Sequence, residues 1–180
     1  IEQEILLITE PFTAVLDFIY TIPGLDKNPM TAIAILSEIG PDMSVFPSSK
    51  NLVSWAGCCP RNDQSAGKVK STRISRAGCY LKPLLVQVAN ALLKSKKHPE
   101  FKERYHRIKS HRGHKKAIIA VCKMLLTAIW NVLSKLEPYN PEGFLEHRPV
   151  NESKILTKSQ ALELFRKRGY TIIEDSTVNF

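Results

Sequence analysis

Residues 117–133 read A-I-I-A-V-C-K-M-L-L-T-A-I-W-N-V-L, a stretch that is apolar over most of a helix circumference. A helix of that kind survives in water only when other elements wrap it, because its stability comes from burial more than from propensity. The spacing predicts one long helix from about Lys115 to Lys135, either the centre of a helical core or half of a dimer interface. At 180 residues and 43% hydrophobic content the chain can supply such a core. No apolar run approaches the roughly 18 to 20 residues of a bilayer span, and the opening I-E-Q-E-I-L-L-I lacks the positive leader of a signal peptide. Neither membrane insertion nor secretion is expected, and a cytoplasmic location is. The first residue is not Met and helix-like sequence begins at once, so we expect a piece of a longer protein.

The other segments read mainly as helix. Residues 1–20 place Ile5, Leu6, Ile8, Phe12, Val15, Leu16 and Ile19 at three- and four-residue spacings, with Pro11 expected to start a second helix. The run T-I-P-G-L-D-K-N-P at 21–29 is turn chemistry, and 30–39 is a short apolar helix closed by Gly40-Pro41. Ser48 or Ser49 caps a short helix ending at Gly57, with Phe46 and Trp55 as core anchors. Residues 61–76 are polar, basic and short of apolar side chains, which predicts an exposed loop or small hairpin. A helix from about Ala77 to Lys97 follows, its true start set by Pro83, then a basic helix over Glu100–Ser110. Thr157-Lys158-Ser159-Gln160 is a capping pattern opening a helix that stops at Gly169, and Y-T-I-I at 170–173 suits a short strand. The first forty residues resemble a helix-hairpin-helix unit, in which backbone amides of the turn hold a phosphate; that would make Gly24 a nucleic-acid contact. The hairpin here is longer than usual, and Gly24 equally suits a plain helical corner.

Charge is segregated along the chain. Residues 1–60 carry two Lys/Arg against seven Asp/Glu, residues 61–116 sixteen against three, and residues 117–180 eight against seven, so a net of +13 sits in the central stretch. A concentration of that size favours a polyanionic partner, because each neutralised phosphate releases condensed counterions. Cys58, Cys59, Cys79 and Cys122 form no C-x-x-C pair and suit a reduced protein. His106, His111 and His114 lie among Lys and Arg whose charge opposes a bound cation, so no metal site is expected.

Several strings together resemble one family: T-I-P-G at 21–24, T-A-I-A-I-L-S-E-I-G at 31–40, F-P-S-S-K-N-L-V-S-W-A-G at 46–57, Q-S-A-G-K at 64–68, R-I-S-R-A-G at 73–78, and the Tyr105–Lys116 block. They are similar to the C-terminal transposase domain of the DEDD-type insertion-sequence transposases, the "IS one-ten" family of bridge-RNA-guided recombinases. The likeness covers about residues 10–143 and leaves the tail from 144 onward unexplained. It implies a mainly α fold with a helix-hairpin-helix-like front. It divides the chain into a connecting or coiled-coil helix end with an entry helix at 1–20, a transposase domain at 21–143, and a linker with a C-terminal helix at 144–180. It further implies a separate RNase-H-like domain with four metal-binding carboxylates, Mg2+ in the full-length protein but none in this stretch, DNA and a guide RNA as partners, and a homo-oligomer.

The same resemblance makes Ser65 the nucleophile toward a DNA phosphodiester. The residues around it fit that use: Ala66 and Gly67 leave room for a backbone to approach, and Lys68, Lys70, Arg73 and Arg76 offer cations to a developing phosphorane. No general base is adjacent, Asp63 being two residues away, so this chain alone is expected to bind DNA without cutting it. Ser71 and Ser75 are the alternative hydroxyls. Arg107, Lys109, Arg112, Lys115 and Lys116 would hold DNA or guide RNA. Two other readings stand: a tyrosine-recombinase-like site at Tyr105 among Arg104, His106, Arg107 and Arg112, and a non-catalytic DNA- or RNA-binding helical module.

Overall fold

The apolar stretch becomes helix α7 (His114–Lys135), and the first unit is built around it. The structure, a computed structural model, describes residues 2–60, 63–65, 68–71, 73–95, 97–142 and 157–167. It divides into two units, Ile1–Gly143 and Phe144–Phe180, taken separately below. In the first, the chain runs α1 (Glu2–Ile8), a 3-10 turn at Glu10–Phe12, α2 (Thr13–Tyr20), α3 (Pro29–Ile39), a 3-10 turn at Met43–Val45 and α4 (Ser49–Trp55). Strands β1 (Asp63–Ser65) and β2 (Lys68–Ser71) follow, then α5 (Leu81–Lys94), α6 (Pro99–Arg112) and α7. The mainly helical class is as expected.

Helices α2, α4, α5 and α6 all pack on α7. Val121, Cys122, Leu125, Leu126 and Ile129 of α7 are fully buried, and Leu52, Leu81, Leu85, Leu92 and Phe101 close over them from the neighbouring helices. Each such side chain contributes about 1.5–3 kcal/mol by leaving water. Lys123 keeps to the exposed side. α7 is, by length and composition, a described helix long and apolar enough to cross a membrane, which corrects the expectation that nothing here reaches that length. More than half of that stretch is buried within the fold, so it is the core helix. Its apolar surface is taken up inside one copy and does not by itself call for a second.

Local sequence explains most boundaries. Pro11 falls in the 3-10 turn that separates α1 from α2. The Asn28 side chain accepts from the Thr31 amide at 3.2 Å, Pro29 opens α3, and Gly40 at φ +75° ends it. α5 starts at Leu81 instead of Ala77, because Pro83 lacks an amide and its ring fits only the opening turn. α6 runs longer than expected at both ends, from Pro99 to Arg112, and Gly113 at φ +79° turns the chain into α7.

One core expectation fails. Phe46 is buried, but Trp55 is 45% exposed. α4 has seven residues, and turning Leu52 and Val53 inward leaves the residue at its end on the rim. The anchoring indole is Trp130 of α7, whose Nε1–H donates to the Phe46 carbonyl at 2.9 Å.

In the second unit the described helix is α8 (Lys158–Lys167). The Thr157 amide donates to Gln160 Oε1 at 3.2 Å, as its capping pattern predicts. Gly169 and the strand expected at 170–173 lie outside the described residues.

Candidate nucleic-acid interface

The polar stretch after α4 folds into an antiparallel pair in which Ser65 faces Lys68 and Gln64 faces Val69, with a register irregularity between Asp63 and Gln64. An isolated bridge, Pro60↔Ile74, extends the pairing toward the base. Ser65 therefore ends β1 at the closing pair of a hairpin, with Ala66 and Gly67 between it and Lys68 in sequence. The backbones of Ser65, Lys68 and Lys70 are described and their side chains are not. Arg73 and Arg76, in the segment returning from the hairpin, are exposed.

Backbone against backbone fixes the root of this hairpin. Gly78 (φ +65°) lies so close to α4 that a β-carbon there would stand 2.4 Å from the Ala56 carbonyl oxygen. A β-carbon on Gly57 would stand 2.7 Å from the Ala77 carbonyl oxygen. Only glycine permits either approach. Lys82 Nζ donates to the Ser75 carbonyl at 2.8 Å and clamps the returning segment to the first turn of α5. Sequence reasoning missed Lys82. A lysine at the positive end of a helix is unfavourable without a partner, and that misplacement was the available signal.

The two alternative serines are tied to their own backbone. Ser71 Oγ accepts from the Arg73 amide and Ser75 Oγ from the Ala77 amide, each at 3.2 Å.

The α6–α7 corner gathers the second group of cations. Arg107, Lys109 and Arg112 on α6, and Lys115 and Lys116 on the first turn of α7, are all exposed. The cations ending α6 sit at the negative end of that helix and are favoured there. Lys115 and Lys116 instead join the positive end of α7, whose first turn holds no acid, so their charge is left for an external anion to balance. Burial, and then the neighbouring Arg107, lower the Arg104 pKa from its usual value.

The hairpin is rooted against α4 and on the first turn of α5, the second group of cations lies on α6 and the first turn of α7, and α4, α5 and α6 all pack on α7.

Tyr105 is set differently from a nucleophile. It is 7% exposed, its hydroxyl lies 2.8 Å from His114 Nδ1, and Lys109 Nζ sits 5.4 Å from its ring centre. The hydroxyl joins α6 to α7. Among the described residues no three His, Cys, Asp or Glu side chains converge to hold a metal ion.

Gly24 (φ +85°) belongs to the α2–α3 corner, where a β-carbon would meet Val88 Cγ1 at 2.9 Å and Leu92 Cγ at 3.1 Å. Packing against α5 accounts for the glycine. Beside it a cleft of about 470 Å³ is lined by Gly24, Asp26, Lys27, Gln87, Lys97 and His98, among others.

The profile of the Transposase IS116/IS110/IS902 family matches residues 16–106. Two curated relatives, both named pilin gene-inverting protein, come from Moraxella bovis and Moraxella lacunata. They are 30% and 29% identical to the chain over 122 residues, 67% of this chain and 37% of theirs. The chain thus spans little more than a third of the length of the curated relatives it matches. No solved structure matches it significantly. A family profile that covers half of the chain, including α2 to α5 and the hairpin, shows that the chain belongs to the Transposase IS116/IS110/IS902 family.

Proposed function

We propose that this chain is the DNA-holding and strand-transfer part of a transposase or DNA-inverting recombinase, with Ser65 as the nucleophile. The observation that carries the reading is a rooted hairpin that ends β1 on Ser65 and is followed by exposed Arg73 and Arg76, with a second group of exposed cations at the α6–α7 corner. Ser65 Oγ attacks a DNA phosphorus, an O–P bond forms, and the bond from phosphorus to the leaving deoxyribose oxygen breaks. The leaving oxygen takes up a proton and the serine proton passes to a base outside the described residues. Lys68, Lys70, Arg73 and Arg76 position the phosphate. Arg107, Lys109, Arg112, Lys115 and Lys116 hold the flanking DNA or a guide RNA, and the Gly24 corner, beside Lys27 and Lys97, adds a further contact. In this reading the carboxylates that bind Mg2+ come from outside this chain, in the cytoplasm and from a homo-oligomer. The described residues offer no donor set for the ion, so no step here runs through it.

The test is the salt dependence of binding to duplex DNA and to structured RNA, wild type against an Arg73→Ala/Arg76→Ala double variant. A steep slope that shallows by about 0.9 for each lost duplex phosphate contact is expected. Salt-insensitive or absent binding overturns the nucleic-acid reading. In the longer protein, Ser65→Ala should abolish strand exchange and spare binding; unchanged exchange would leave a non-catalytic binding module.

A further inference from the structure

We propose that Trp55 and Tyr80 form a stacking platform for unpaired nucleobases at the root of the hairpin. The inference rests on the nucleic-acid reading above and adds to it the form of nucleic acid taken: a single strand or a locally opened duplex.

Trp55 is 45% exposed, at the end of α4, and Tyr80 is 72% exposed, just before α5. Trp55 closes α4 with its ring centre 5.5 Å from that of the buried Phe46, at 60°, so the indole is propped on the core while much of its surface meets solvent. Tyr80 is the residue just before α5 and makes no capping bond. Among the described residues its hydroxyl has no hydrogen-bond partner.

The two belong to one place. Ala56 and Gly78 touch backbone to backbone, as do Gly57 and Ala77. Trp55 is next to that crossing on one side, and Tyr80 is two residues from it on the other. The hairpin leaves and re-enters at the same crossing, where Pro60 bridges to Ile74. Arg73, Arg76 and Lys82 lie on the returning side. Two aromatics therefore flank the root of the most cationic stretch of the chain.

Charge complementarity selects the occupant. Cations alone bind phosphate whether or not the bases are paired. An aromatic ring adds affinity only where a base presents its π-face, which a stacked duplex hides and a single strand exposes. An apolar protein partner would find thirteen net positive charges in the surrounding stretch, residues 61–116. A nucleic-acid strand neutralises them and covers the rings together.

The experiment measures binding of the full 180-residue chain to a fluorescein-labelled single strand of mixed sequence and to its duplex, for wild type, Trp55→Ala, Tyr80→Ala and the ring-retaining Trp55→Phe and Tyr80→Phe. Each alanine variant should weaken single-strand binding about 5- to 150-fold, leave duplex binding within about twofold, and keep the salt slope of wild type. The phenylalanine variants should retain most of the single-strand affinity. Wild-type binding to duplex with single-strand binding unchanged in the alanine variants overturns the platform and leaves the nucleic-acid reading standing. Equal losses on both ligands overturn it too, because the aromatics then act through the fold. A wild-type chain that binds neither ligand overturns both readings together.

Discussion

Replacing Gly78 with alanine should unseat the hairpin root. Gly78 has φ +65°, and the added β-carbon would lie 2.4 Å from the Ala56 carbonyl oxygen, 3.0 Å from its carbonyl carbon and 3.2 Å from its Cα. Every one of these is backbone, so no side-chain rotation relieves the overlap. The positive φ costs about 1–2 kcal/mol for a residue with a β-carbon. Forcing the two backbones apart by roughly 1 Å adds about 1–3 kcal/mol, the usual range for overpacking. Gly113→Ala provides the control, since Gly113 has φ +79° and nothing within 4 Å of its would-be β-carbon. Its cost is strain alone, about 1–3 kcal/mol. With a urea slope of about 1–3 kcal/mol/M, the summed cost should lower the Gly78→Ala unfolding midpoint by about 1–2 M when followed by circular dichroism, with Gly113→Ala gauging the part due to strain. A Gly78→Ala midpoint that matches wild type would mean that α4 and the segment before α5 do not meet backbone to backbone, and the fixed root assigned to Ser65, Trp55 and Tyr80 would go with it.

Four further outcomes follow from the same structure. Burial, first, with smaller contributions from neighbouring groups, pushes the Cys58 thiol up to about 11 and the Cys122 thiol up to about 12, from 9.0; a raised folded pKa means stability that is whole below pH 9 and lost as pH climbs through 11–12, so urea midpoints should fall over that window and fall less in a Cys58→Ala/Cys122→Ala variant. The exposed Cys79 should react with a thiol reagent at once, whereas Cys58 and Cys122 should react only on unfolding. Tyr105→Phe removes the 2.8 Å contact to His114 and should cost about 1 kcal/mol in urea while strand exchange by the longer protein persists; abolished exchange with intact folding would restore Tyr105 as a nucleophile. Lys115→Gln/Lys116→Gln should shallow the duplex salt slope by up to about 1.8 and slightly stabilise the fold; a steeper slope, or lost stability, would contradict the dipole reasoning.

How much was legible in the sequence depended on the range of the interaction involved. α7 and α5 are readable because helical periodicity is local, and the ends of α3 because Asn28, Pro29 and Gly40 act on their own neighbours, whereas α6 extends past its expected ends up to Pro99 and Gly113. Trp55 misled because size and apolarity favour the core on average, while its actual exposure depends on which face a seven-residue helix turns inward. Nothing local in Gly57 or Gly78 tells that they meet Ala77 and Ala56. The turn residues around Gly24 suited both a phosphate contact and a plain helical corner, and only the fold reveals that Val88 and Leu92 occupy the space a side chain there would need. The cationic character of the site was visible at once, since charge is additive along a chain; which cations share a surface was not.

That last distinction bears on how the site works. Arg73 and Arg76 are more than thirty residues from Arg107 and Arg112, and what their surroundings share is packing on the buried helix α7. α7 packs against α4, α5 and α6, so the hairpin root and the basic corner are both referenced to one rod. In the proposed reading, a backbone phosphate held at Lys115 and Lys116 is thereby set at a distance from the root beneath Ser65 that α7 fixes. Attack on a phosphodiester tolerates only small misplacement, and a reference of that stiffness is what a hairpin of seven described residues could not provide for itself.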